Sequence, residues 1–291
     1  MKLSFNQACT LHNSNLENDL LLCEQAGFDA IELRIDKLRE YLNSHSVEDL
    51  NDYFLRSHIK PYSINGVYVY ADFRSAADTE GRSSALLDDV KFACETAHAI
   101  GCDKMVMVPP VFSEEENKTY DDPWDKILED NTRIFSYMAD YVLPYNMNIG
   151  IEIVGASRSS IRTVEQCNMV IDAVSKPNLG YTIDSYNLYL HKKTNEFSDI
   201  KLAYPEKIFI VHINGGEASP QGVFLQKYRT FADRGVLDVD DYLRNLSKMD
   251  YCGYVSIEFF REDCWAMSAH DVINKCYETT KEVLARNDLL T

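Results

Sequence analysis

Nowhere in the 291 residues does an apolar run approach the roughly 18 that a membrane helix needs. The opening MKLSFNQACT holds no apolar stretch long enough for a secretory leader, so a cytoplasmic location is expected. Cys-x-x-Cys pairs are absent as well. Cys9, Cys23, Cys94, Cys102, Cys167, Cys252, Cys264 and Cys276 stand singly, in a chain large enough not to need disulfides, and read as reduced thiols that mostly serve packing. Neither Gly-x-Gly-x-x-Gly nor a Walker loop occurs, which removes the two commonest nucleotide-binding signatures. Dense Lys/Arg runs are missing too. With 29 basic against 46 acidic residues the formal charge is −17, which repels polyanions, so neither nucleic acid nor an anionic membrane is an expected partner. No Gly/Ser-rich linker, composition break or internal repeat divides the chain, and a single domain over residues 1–291 is expected.

What the chain does have is 45% hydrophobic and 26% charged residues, enough to bury a large core. Short β-rich runs alternate with longer amphipathic stretches, the pattern of parallel strands joined by crossover helices. Strand candidates are Lys2 to Gln7, Ala30 to Ile35, Pro61 to Val67, Lys104 to Val108, Asn148 to Val154, Leu179 to Asp184, Ile208 to Ile213 and Tyr254 to Phe259. Helical stretches between them include Leu16 to Ala26, Ser84 to Ile100, Asp125 to Leu143, Val164 to Val174 and Ala269 to Arg286. Gly27 and Gly101 follow two of these as helix stops. Eight such units predict an α/β protein of the closed (β/α)8 TIM-barrel type; an open doubly wound sheet usually carries a glycine-rich turn after its first strand, and here that turn is Gln7-Ala8-Cys9-Thr10.

A barrel builds its site at the C-terminal strand ends. Four consecutive strands finish in an ionisable side chain amid apolar neighbours: Glu152 in Gly150-Ile151-Glu152-Ile153, Asp184 in Thr182-Ile183-Asp184, His212 in Val211-His212-Ile213 and Glu258 in Ile257-Glu258-Phe259. Burying three carboxylates together is costly unless a cation joins them, so Glu152, Asp184, His212 and Glu258 are expected to bind one divalent metal ion. Oxygen donors with one imidazole suit Mn²⁺ or Zn²⁺, and also Co²⁺ or Mg²⁺. Glu32, Asn6 and Asn65 fall near other strand ends and are expected on the pocket wall. Trp124, Tyr68, Tyr70, Tyr186 and Tyr189 are candidates to line a sugar-sized pocket, and the acidic stretch Ser113 to Asp122 reads as a solvated loop.

The collinear motifs Glu-Ile-Val-Gly, Asp-Ser-Tyr, Val-His-Ile and Ser-Ile-Glu-Phe resemble the xylose-isomerase-like barrel superfamily of sugar isomerases, epimerases and apurinic endonucleases. Lys2 to Ala8, Asn13 to Leu16, Ile31 to Arg34, Asp36 to Leu38, His58 to Pro61 and Glu258 to Arg261 resemble the inosose isomerases of myo-inositol catabolism within it. The resemblance implies the same metal ligands and a metal-assisted isomerase or epimerase of a sugar or cyclitol ketone, acting by proton abstraction through an enediolate. It implies Glu152 and Glu258 as the base and acid pair, with a small polyol, ketose or inosose as partner; Asn187, Asn214, Arg229 and Glu32 are the expected substrate contacts. The chain departs from the family pattern at Asn187, where a histidine is usual, at Asn214, where an acid is usual, and at Arg229-Thr230-Phe231-Ala232-Asp233, which keeps the arginine of an Arg-x-Trp-Pro-Gly loop and loses its turn. An asparagine can hydrogen-bond a hydroxyl but cannot shuttle a proton near neutral pH. Two other readings remain open on the sequence: a metal-binding barrel without turnover or with altered specificity, and a metal-dependent endonuclease.

Overall fold

A computed structural model describes all residues except 79, 80, 114, 115, 117 and 219–224. Eight strands run parallel and close on one another: β1 (Lys2–Asn6), β2 (Ala30–Arg34), β3 (Lys60–Tyr68), β4 (Lys104–Val108), β5 (Asn148–Glu152), β6 (Leu179–Asp184), β7 (Ile208–Ile213) and β8 (Tyr254–Ile257). Each pairs with its neighbours in sequence order and β8 returns to β1, the (β/α)8 barrel that the alternation predicts. The crossovers use α1 (Leu16–Ala26), α2 (Ile35–Tyr41), α3 (Val47–Arg56), α4 (Arg82–Ala99), α5 (Trp124–Val142), α6 (Val164–Val174), α7 (Ser185–Lys192) and α8 (Val239–Ser247); α9 (Glu262–Trp265) and α10 (Ala269–Ala285) follow β8. Among the described residues, no helix is long and apolar enough to cross a membrane.

Three strands have the expected bounds, four end one or two residues early, and β3 is one residue longer at each end. After β1 and β2 the reason is local: the departing residues start new structure, a buried turn at Gln7–Thr10 and a helix at Ile35. Gly27 ends α1 with φ 101°, a left-handed cap that glycine adopts without strain. Beside the turn, Lys37 and Asp19 form a buried ion pair at 2.8 Å that also takes hydrogen bonds from Gln7 and Thr10, tying the end of β1 to α1 and α2.

Side chains along a barrel strand face the helices and the axis in turn. Leu3, Phe5, Ile31, Leu33, Ile149, Ile151, Val211, Ile213, Val255 and Ile257 belong to the large core shared with the helices. Ala30, Tyr62, Val106 and Ile210 form a separate cluster, the plug inside the barrel. The next inward position, two residues further along, opens on the mouth. All eight cysteines are free and only Cys252 is exposed; burial pushes the Cys9 and Cys23 thiols well up, which suits packing and not nucleophilic chemistry.

Gly155, just past β5, lies against α7 so closely that an added Cβ would sit 1.9 Å from the Asn187 carbonyl oxygen and 2.8 Å from the His191 nitrogen. Gly155→Ala is expected to force α7 outward and lower stability by about 1–3 kcal/mol. Urea unfolding should report this as a lower midpoint at unchanged slope.

Candidate metal and active site

Six strands repeat one local pattern, a small or neutral inward residue followed two positions later by a polar one: Ser4 and Asn6, Ala30 and Glu32, Gly150 and Glu152, Thr182 and Asp184, Ile210 and His212, Ser256 and Glu258. All six polar members are buried, so each needs a partner. Glu258 is one residue past β8, but its backbone N–H still donates to the Ile213 carbonyl at 3.2 Å and keeps it in line with the strand ends.

His212 lies between two carboxylates. Its Nε2 is 3.0 Å from Glu32 Oε1 and 3.2 Å from Oε2. Its Nδ1 is 3.3 Å from Glu258 Oε2, without the alignment of a hydrogen bond. Asn65 Nδ2 donates to Glu258 Oε1 at 2.6 Å, and Asn6 Nδ2 donates to Glu32 Oε1 at 2.6 Å and to Glu258 Oε1 at 3.1 Å. On the other side, Asp184 Oδ1 caps α7 by accepting the Asn187 backbone N–H at 2.7 Å, while Asp184 Oδ2 accepts from Asn214 Nδ2 at 2.8 Å. Asn187 Nδ2 donates to Glu152 Oε1 at 2.9 Å.

The positive charge comes from a loop. A two-stranded antiparallel ribbon, Gly215–Gly216 against Arg229–Thr230, carries Arg229 into the mouth. Its Nη1 lies 2.7 Å from Asp184 Oδ2 and 3.2 Å from Glu258 Oε2, and its guanidinium centre is 5.4 Å from the Tyr186 ring centroid. Burial acts against the Arg229 charge, but Asp184 and Glu258 outweigh it and hold the guanidinium protonated. The same balance pushes the His212 imidazole well above its ordinary value: burial opposes protonation, and Glu258 and Glu32 prevail. Glu152 is pushed up to about 8 by burial first and by Glu258 second. Burial acts upward on Glu258 too, but His212, Arg229 and Asn65 bring it down to about 2. Two glutamates in one site are thus driven apart by their surroundings.

All four sequence-predicted ligands fall in this network. The tightest set of donor atoms, all within 4.8 Å of one another, is Glu32, His212 and Glu258. Glu152 stands apart from that set beside Asn187, and Asp184 is held by Arg229 and Asn214. The donor chemistry fits a divalent cation: one imidazole nitrogen without a hydrogen-bond partner and carboxylate oxygens within reach.

A cavity of about 80 Å³ at the mouth is lined by Asn65, Tyr68, Glu152, Asn187, Arg229 and Glu258, among others. Of the expected substrate contacts, Asn187 and Arg229 reach it; Glu32 and Asn214 do not line it and are spent on His212 and Asp184. Tyr68 lines it as expected. Tyr186 and Tyr189 pack in the core, Tyr70 bonds Asp78 and Ser83, and Trp124 opens α5, so these four aromatics do not form its wall. Arg158, which lines the cavity and donates to the Phe112 carbonyl, carries no sequence pattern that would have marked it. In the acidic stretch, Ser113, Glu116, Lys118, Thr119 and Asp121 are exposed, as a solvated loop would be, while residues 114, 115 and 117 lie outside the described residues. A wider cleft of about 800 Å³ lies between α1, α2 and α3, away from the strand ends on which the polar groups converge.

Comparison with known proteins accords with this geometry. The inosose isomerase of Bacillus velezensis is 34% identical over 98% of this chain and 98% of its own length, and that of Bacillus subtilis is 33% identical over 98% and 99%. The crystal structure of the IolI protein with a bound zinc atom superposes with a TM-score of 0.87 at 32% identity, covering 99% of both chains. The model of the xylose isomerase-like TIM barrel matches residues 20–278. With its closed barrel, its ring of polar strand ends and a match across most of its length, this chain belongs to the xylose isomerase-like TIM barrel family.

Proposed function

We propose that this chain is a divalent-metal-dependent isomerase of an inosose-like polyol ketone, with Glu152, Asp184, His212 and Glu258 holding the cation. The observation that carries this reading is His212, whose Nε2 is fixed by a carboxylate while Nδ1 faces Glu258 with no hydrogen-bond partner. Full-length relatives named inosose isomerase support the substrate class, and a relative named ketose 3-epimerase, 25% identical over 42% of the chain, supports the wider isomerase and epimerase chemistry. A bound cation supplies Lewis-acid polarisation of the substrate carbonyl and offsets the charge that develops as the adjacent carbon loses its proton.

The protein's own groups do the rest. Glu152 and Glu258 both face the cavity and are the proposed base and acid for moving the carbon-bound proton. Asn187 holds Glu152 by Oε1 and Asn65 holds Glu258 by Oε1, which fixes the carboxylates without competing for protons. Asn187 and Arg229 are placed to bind substrate hydroxyls. A second reading, a metal-binding barrel without turnover, draws on the hold that Arg229 keeps on two of the proposed ligands.

Solvent deuterium exchange decides between them. Incubation with inososes and ketoses in D₂O and Mn²⁺ or Zn²⁺ is expected to label the carbon next to the carbonyl, and EDTA to stop it. Glu152→Gln and Glu258→Gln should each slow labelling by about 10²- to 10⁴-fold. Absence of label across the whole panel sinks the isomerase.

Removing Arg229 is a separate test of the charge balance. Arg229→Gln leaves Asp184 and Glu258 buried without their guanidinium, and the metal-free variant is expected to lose about 3–5 kcal/mol of stability. Added Zn²⁺ should recover much of the loss in a thermal melt. An unchanged melting temperature without metal would show that the pair carries no such weight.

A further inference from the structure

We propose that Glu32 is a positioning residue that fixes the imidazole of His212, so that Nδ1 and not Nε2 is the nitrogen offered to the cation. This rests on the metal-binding reading above and adds to it a residue outside the proposed ligand set.

One backbone group in this network has a role that cannot be reversed. The Ala8 N–H can only donate, and it donates to Asn6 Oδ1 at 2.8 Å. That orients the Asn6 amide, an assignment that is otherwise ambiguous for an asparagine, and turns Nδ2 toward Glu32 Oε1 at 2.6 Å and Glu258 Oε1 at 3.1 Å. Both Asn6 amide hydrogens are then used. A carboxylate only accepts, so the nitrogen that meets Glu32 must carry a hydrogen. That nitrogen is His212 Nε2, which faces both oxygens of Glu32, at 3.0 and 3.2 Å. With the Nε2 hydrogen committed to Glu32, the Nδ1 proton, on the atom 3.3 Å from Glu258 Oε2, is the one a cation would displace, which leaves Nδ1 as the donor nitrogen.

The backbone that carries the ring is held as well. The His212 carbonyl accepts from the Tyr242 hydroxyl at 3.0 Å, which anchors the strand beneath the imidazole. Glu32 and His212 are both fully buried, and Glu32 does not line the cavity that Glu152 and Glu258 share. A substrate hydroxyl in that cavity therefore meets polar lining groups such as Glu152, Asn187, Arg229 and Glu258 before Glu32. A carboxylate that fixes the far nitrogen of a metal-bound histidine also raises the ligand's basicity, and such partners are commonly worth 10- to 100-fold in metal affinity.

The test uses the full-length protein, Zn²⁺ in competition with a chromophoric chelator, and nitrogen-15 NMR of the imidazoles. Glu32→Ala should weaken Zn²⁺ binding by about 10- to 100-fold. Glu32→Gln should weaken it less, because the amide oxygen can accept the same Nε2–H. With Zn²⁺ saturating, KM for an inosose should stay within about twofold of wild type in both variants, and His212 should coordinate through Nδ1 in the wild-type spectrum. Unchanged Zn²⁺ affinity with a raised KM would make Glu32 a substrate contact and overturn the proposal, as would coordination through Nε2. If wild type takes up no Zn²⁺, the metal reading falls and the claim about the nitrogen offered to a cation falls with it; metal-free spectra then decide only the hold of Glu32 on the ring, upheld by a protected Nε2–H on His212 that Glu32→Ala abolishes and overturned by one that survives.

Discussion

Asp184 and Glu258 come from strands on either side of β7, and a single buried guanidinium spans them. Carboxylates removed from water in this way repel one another and lose hydration, so the arrangement persists only where cations and hydrogen-bond donors meet their oxygens. The rest of the mouth is organised around that demand. Arg229 is delivered by the ribbon after β7, His212 stands between Glu32 and Glu258, and asparagine amides add further donors to the same carboxylates. A divalent ion would meet the same demand with more charge on fewer atoms.

The barrel was legible because its two-residue alternation is strong. Apolar residues such as Ile31, Ile151, Ile183 and Ile257 flank the chemically capable ones and face the helices, so the strand ends at Glu152, Asp184, His212 and Glu258 stood out as polar groups in apolar runs. The same alternation marks Asn6 and Glu32, after Ser4 and Ala30. What it cannot supply is depth. Whether an inward carboxylate faces the cavity or backs onto a neighbour depends on the stagger between strands; the pairing of Asn6 with Glu32, and of Asp184 with His212, exists only once the barrel closes.

Arg229 was harder to place for a different reason. It reaches Asp184 from 45 residues away along a loop, where no periodicity constrains direction. The aromatic residues were harder to place because a tyrosine's bulk serves the core as readily as a pocket wall: Tyr189 packs in the core, Tyr186 is buried beside Arg229 without lining the cavity, and the half-exposed Tyr68 stays at its rim. Cysteine usage, in contrast, needed no geometry, since isolated thiols in a chain of this size have little to do but fill space.

The amide donors at Asn6, Asn65, Asn187 and Asn214 have a consequence of their own. None of these side chains gains or loses a proton in the range where imidazoles do, so acidification can neutralise the acceptors but cannot switch off the groups that aim them. A histidine at 187 would have made one of those struts sensitive to acid. In this chain the brackets around the carboxylates are permanent dipoles, and the site's shape is decoupled from the protonation of the carboxylates they hold.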